Sequence, residues 1–116
     1  MSWNIEYIPE AEDDLDRLDG SQRNIVLKGI SKVAQNPLPA DEGGYGKPLG
    51  NKHGNNLSGL LKIKFLKLGI RIVYDLKHDE KGMRIIIIGV RADDDVYEVA
   101  KKRIKKYNQG PLLEIL

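Results

Sequence analysis

Ile85-Ile86-Ile87-Ile88 is apolar at four successive positions. A strand sends alternate side chains to opposite faces, so a strand that is apolar throughout has to be covered on both. Met83 to Val90 is therefore expected to form a central strand with packed layers on either side. Two further strands precede it, Leu60 to Leu66 and Gly69 to Leu76. Lys67-Leu68-Gly69 supplies the tight turn between them, and His78-Asp79-Glu80-Lys81-Gly82 the turn that follows. With 116 residues the chain fits one domain, residues 1–116.

The covering layers are legible on both sides of these strands. Trp3 to Ile8 partly alternates, with Trp3, Ile5 and Tyr7 on one side, and reads as an N-terminal strand. Pro9 suits the first turn of a helix. Glu10, Glu12, Asp13 and Asp14 follow where a helix N-terminus favours negative charge, so this cluster has a structural explanation without a metal. Ala11, Leu15 and Leu18 form its apolar stripe. Asp19-Gly20 ends that helix, and Ser21 is the expected N-cap of a second one. Ile25, Val26, Ile30, Val33 and Ala34 are its expected buried side, and Asn36-Pro37 its end. So short a turn makes the two an antiparallel hairpin.

Residues 37–59 read as a long loop, holding three of the five prolines and six of the twelve glycines. After the third strand, one of Asp93, Asp94 and Asp95 is expected to cap a short helix. Its inward side is Val96, Val99, Ala100 and Ile104. Lys101, Lys102, Arg103, Lys105 and Lys106 crowd its C-terminal half, where cations suit the helix dipole. Gly110-Pro111 reads as its stop, leaving an aliphatic tail to dock on the domain or on a partner. The expected class is α+β: a small antiparallel sheet, mixed at the N-terminal strand, packed by an N-terminal helix hairpin, with a short C-terminal helix.

The chain has no cysteine, which excludes a disulfide scaffold, an all-cysteine metal site and a thiol nucleophile. No apolar run approaches the roughly 20 residues of a membrane helix. The first residues lack the layout of a signal peptide. A cytoplasmic protein without membrane attachment is expected. The net charge of +2 conceals an asymmetry. Residues 1–46 carry 4 basic and 9 acidic side chains, residues 47–116 carry 15 and 8. A basic second half points to a polyanion, of which nucleic acid is the commonest.

Within that half, alternation in Leu61-Lys62-Ile63-Lys64-Phe65 separates Leu61, Ile63 and Phe65 from Lys62 and Lys64. A two-residue turn at Lys67-Leu68 pairs Leu66 with Gly69 and Lys64 with Arg71. Any loop of even length keeps Lys62, Lys64 and Arg71 on one face. Like charges opposed across a sheet are destabilising. Such a face either binds phosphate or is simply a solvated one. Arg91 at the end of the third strand and Tyr97 early in the last helix lie near one end of this face. Tyr97 equally fits an aromatic packed between helix and sheet.

Several of these segments together resemble the RelE family of the RelE/ParE superfamily, toxins of type II toxin–antitoxin pairs. They are Leu57 to Lys64, Gly69-Ile70-Arg71-Ile72-Val73-Tyr74, Ile88-Gly89-Val90-Arg91, Val96-Tyr97 and Lys102-Arg103-Ile104. The resemblance implies a RelE-like domain and an endoribonuclease, an mRNA interferase that cuts mRNA in the ribosomal A site without a metal or cofactor. It implies a catalytic set of Lys62, Lys64, Arg71, Arg91 and Tyr97. It also implies a cognate antitoxin as partner. Leu61, where relatives often carry an aromatic, and the three aspartates between Arg91 and Tyr97 depart from the pattern. The alternatives are a non-enzymatic ParE-like toxin acting on DNA gyrase, and a DNA-binding co-repressor without toxicity.

The chemistry suits these residues. Cutting RNA through its own 2′-hydroxyl needs a base, cations for the pentavalent phosphate and an acid for the leaving oxygen. A tyrosine with a pKa near ~10 is a poor base at neutral pH. Surrounding cations favour its phenolate. Lys62, Lys64 and Arg71 can do this, and Arg91 can neutralise the phosphate. Its acid role is chemically harder, given the very high pKa of a guanidinium. His53 and His78 read as solvated loop and turn residues rather than an acid–base pair. No group of side chains has metal-ligand spacing on one element.

Overall fold

The computed structural model describes residues 2–52, 55–90 and 93–115, of which 51–52, 55–58, 93–94 and 108–115 by backbone alone. Five strands are present: β1 Asn4–Tyr7, β2 Lys47–Lys52, β3 Asn55–Phe65, β4 Ile70–Lys77 and β5 Gly82–Gly89. The helices are α1 Pro9–Asp16, α2 Gly20–Val33 and α3 Asp93–Ile115, with short 3-10 turns at Ala40–Glu42 and His78–Glu80. The sheet order is β1-β5-β4-β3-β2. β1 runs parallel to β5, and every other neighbouring pair is antiparallel. The α+β class with a mixed sheet is as expected.

The isoleucine run of β5 is buried at every position, Ile85 and Ile86 at 0 % exposure. α1 packs against β1 and β5. α2 lies on the Phe65 side of the sheet, where a Cβ on Gly29 would meet the Phe65 ring. α3 crosses the opposite side, over β3, β4 and β5. In α2 the buried stripe is Val26, Ile30 and Val33, spaced by four and three residues. Ile25, expected to be buried too, is 47 % exposed, because it stands one 100° step off that stripe.

Several local expectations are corrected. The N-cap of α2 is Asp19, whose carboxylate accepts from the Gln22 amide at 2.8 Å. Ser21 supports it by donating to the same oxygen at 3.0 Å. The segment 37–59 is not all loop: β2 and the first part of β3 occupy half of it. A register shift between Pro48 and Gly50 and a positive φ of 57° at Gly50 let β2 pair despite its breaker residues. Proline suits an edge strand, and β2 is one.

The last helix is not short. It spans 23 residues and runs through Gly110-Pro111, so the stop expected there is not taken. A proline inside a helix removes one backbone hydrogen bond. Beyond it, Leu112-Leu113-Glu114 are good helix formers. The cations expected at its C-terminus therefore lie mid-helix, and two of them reach α1. Arg103 meets Asp14 at 2.7 Å, and Lys106 meets Glu10 at 3.1 Å.

Candidate functional site

The basic face forms as the strand parity requires. In the β3–β4 ladder Lys64 stands opposite Arg71, and Lys62 opposite Val73. Directly opposed residues share a face, and residues two apart on a strand lie about 7 Å from each other. Lys62, Lys64 and Arg71 thus occupy one side of the sheet. Leu61, Ile63 and Phe65 take the side that meets α2. The Arg71 guanidinium turns toward the hairpin end, its Nη1 donating to the Gly69 carbonyl at 3.0 Å.

α3 brings Tyr97 to the same face. The Lys62 ammonium lies 3.1 Å from the Tyr97 hydroxyl and 5.7 Å from its ring centroid. The Tyr97 residue is 2 % exposed. That burial is what the packed-aromatic reading expects. The ring packs between helix and sheet, and its hydroxyl ends beside a lysine of the basic face.

The seating of α3 depends on Gly89, the partner of Arg71 on β5. A Cβ on Gly89 would lie 2.7 Å from Val96 Cγ2. The bare backbone is what lets the first turns of α3 come so close, and Tyr97 is the next residue.

Arg91 and His53 lie outside the described residues. His78 sits in the 3-10 turn, exposed, with its ring edge-on to Trp3 at 5.7 Å and 82°. It stands apart from the basic face, as a turn residue should. Among the described residues no group of three or more His, Asp or Glu side chains could hold a metal ion. Among them, too, no helix is long and apolar enough to cross a membrane.

Two contributions escaped the sequence reading. Lys47 on β2 is the ladder partner of Lys62, which extends the row of cations by one strand. It was hidden because its strand read as loop. Asp14, taken as one of several acids at a helix start, is instead buried at 8 % exposure. It accepts from the Ile88 amide at 3.1 Å and from Arg103 Nη1 at 2.7 Å, while Arg103 also donates to the Ile86 carbonyl at 2.9 Å. Nothing local in sequence marks a pair 89 residues apart.

No protein-family model matches the sequence, and no curated protein does. Solved structures do. The isolated Escherichia coli RelE toxin is 21 % identical, with a TM-score of 0.64 over 89 % of this chain and 99 % of that one. A chain of the Mycobacterium tuberculosis RelBE2 toxin–antitoxin complex is 20 % identical, with a TM-score of 0.63 over 80 % of this chain and 95 % of that one. A chain of the intact E. coli RelBE complex is 19 % identical, with a TM-score of 0.60 over 78 % of this chain and 99 % of that one. Over most of its length, this chain has the fold of the RelE toxins.

Proposed function

We propose that the chain is the toxin of a type II toxin–antitoxin pair and acts as an endoribonuclease on mRNA, in the ribosomal A site in the cytoplasm. The observation that carries this is the Lys62 ammonium 3.1 Å from the Tyr97 hydroxyl on a face that also holds Lys64 and Arg71. Lys62 stands where it lends stability to negative charge on the Tyr97 oxygen, which would make that oxygen a base. In the step we envisage, Tyr97 takes the proton of an RNA 2′-hydroxyl. The 2′-oxygen attacks the adjacent phosphorus. A 2′,3′-cyclic phosphate forms, the bond to the 5′-oxygen breaks, and that oxygen leaves as a hydroxyl with a proton taken from solvent water.

Lys64 and Arg71 neutralise the charge that builds on the phosphoryl oxygens. Arg91, assigned by resemblance, joins them at the leaving group. The chain itself supplies base and cations, so the scheme is metal-independent. A cognate antitoxin is the partner that holds such an activity in check, and two of the similar structures are toxin–antitoxin complexes.

Mapping RNA ends after induction in cells tests this reading. New ends carrying 5′-hydroxyls within translated mRNA are expected. Growth arrest with intact mRNA would refute it.

A further inference from the structure

The turn between β3 and β4 is Leu66-Lys67-Leu68-Gly69. Tight turns favour Gly, Asn, Asp and Ser for their backbone freedom and local hydrogen bonds. Here Gly69 supplies the positive φ, at 67°, and two hydrogen bonds close the loop, the Leu68 amide donating to the Phe65 carbonyl and the Gly69 amide to that of Leu66. Leu68 is partly buried against the core. Leu66 is 85 % exposed, so beyond its backbone its side chain contributes nothing evident to the fold.

A lone exposed leucine needs no explanation by itself. Its surroundings make this one different. From Lys62 to Tyr74 there is no carboxylate, and Lys62, Lys64, Lys67 and Arg71 lie within that stretch. Leu66, Lys64 and Arg71 line one shallow notch at the hairpin end of the basic face. Arg71 is held there by its bond to the Gly69 carbonyl. An apolar side chain ringed by cations suits a ligand that alternates an apolar face with a phosphate, which is single-stranded RNA with unstacked bases. An acidic protein segment would satisfy the charges too, but it has no need of an apolar contact at the centre of them.

We propose that the β3–β4 hairpin tip is an RNA-gripping element, in which Leu66 packs against an unstacked base while Lys64 and Lys67 hold the flanking phosphates. The proposal deepens the ribonuclease reading and rests on it for the choice of RNA. It makes Leu66 a substrate-positioning residue.

The test measures binding by fluorescence anisotropy, using the full chain and a labelled single-stranded RNA with 2′-O-methyl groups, so that binding is read without cleavage. A duplex of the same sequence, its bases stacked inside, is the comparison. Leu66→Ala is expected to weaken single-strand binding about fivefold, the order of burying part of a leucine. Duplex binding should be unchanged, and Leu66→Met should retain most of the single-strand affinity. Lys67→Ala should weaken both and reduce the slope against log salt by roughly 0.7.

Thermal unfolding verifies that each variant is folded. A folded Leu66→Ala chain that binds the single strand like wild type overturns the proposal. So does one whose only defect is in binding a protein partner or a second copy. Leu66-dependent binding by a chain that cuts no RNA would leave the tip standing and refute the nuclease. Cleavage undiminished in Leu66→Ala would do the reverse.

Discussion

Arg103 on α3 and Asp14 on α1 meet at 2.7 Å beside the stretch of β5 that β1 leaves uncovered. The β1 ladder ends at Tyr7 opposite Ile85. A register shift in the β4–β5 ladder inserts Ile86. Asp14 accepts the Ile88 amide and Arg103 donates to the Ile86 carbonyl, so two side chains satisfy backbone groups that a longer β1 would have paired. The same contacts tie α3, and Tyr97 with it, to α1.

Breaking this pair from either side takes the shorter ion-pair contact from a charge in a largely buried place, although the exposed Arg17 still reaches Asp14 at 3.3 Å. Asp14→Ala and Arg103→Ala are each expected to cost about 3 kcal/mol, the lower end of what such losses cost. The double variant should cost less than the sum of the two, since the contact is shared. Urea unfolding of the four chains measures the coupling. Additive losses would show that the two side chains act separately.

Gly89 sets how closely α3 approaches the sheet. Gly89→Ala places a methyl against the stiff side chain of Val96, 2.7 Å from its Cγ2. It should cost about 1–3 kcal/mol, the usual range for overpacking. Pairing it with Val96→Ala should recover part of that stability. RNA cleavage should fall in Gly89→Ala by more than its unfolded fraction explains, because Tyr97 moves with the helix.

Acid should loosen the hold of α1 on the middle of α3. The Tyr107 hydroxyl, donating to Glu10 at 2.6 Å, is the main cause that holds the Glu10 carboxyl at about 2 rather than 4.5, with Lys106 adding to it. A carboxyl whose value is lowered by folding stabilises the fold above its unfolded value, and that gain is lost as pH falls through the folded one. The contribution is therefore present above about 4.5 and disappears toward 2. Glu10 is partly exposed, so screening keeps the effect small. Thermal midpoints measured across this interval should drop less steeply in Glu10→Gln than in wild type, with the two chains converging at the acid end.

How much of this was readable from the chain depends on the range of the signal. The isoleucine run places β5, and the alternation around Lys62 and Lys64 sets both the face and the Lys64–Arg71 register. Those are local periodicities. β2 was missed because its own residues, Lys47-Pro48-Leu49-Gly50, argue against a strand, and only pairing with β3 makes it one. Lys47 was lost with it. Gly110-Pro111 misled in the other direction, since punctuation residues express a preference that flanking helix formers can outweigh. The Tyr97–Lys62 contact was reached through resemblance, because strand parity cannot say where a helix crosses the sheet.

The central claim is that the Tyr97 oxygen, beside Lys62, is the base that starts strand scission. Single-turnover cleavage of programmed mRNA by wild type, Tyr97→Phe and Lys62→Ala tests it most directly. Phenylalanine keeps the packed ring and removes only the hydroxyl, so the fold should survive. The account predicts a fall of about 100-fold or more for Tyr97→Phe, the lower bound for losing a general base. Lys62→Ala should also fall. Cleavage by Tyr97→Phe at the wild-type rate would contradict the account.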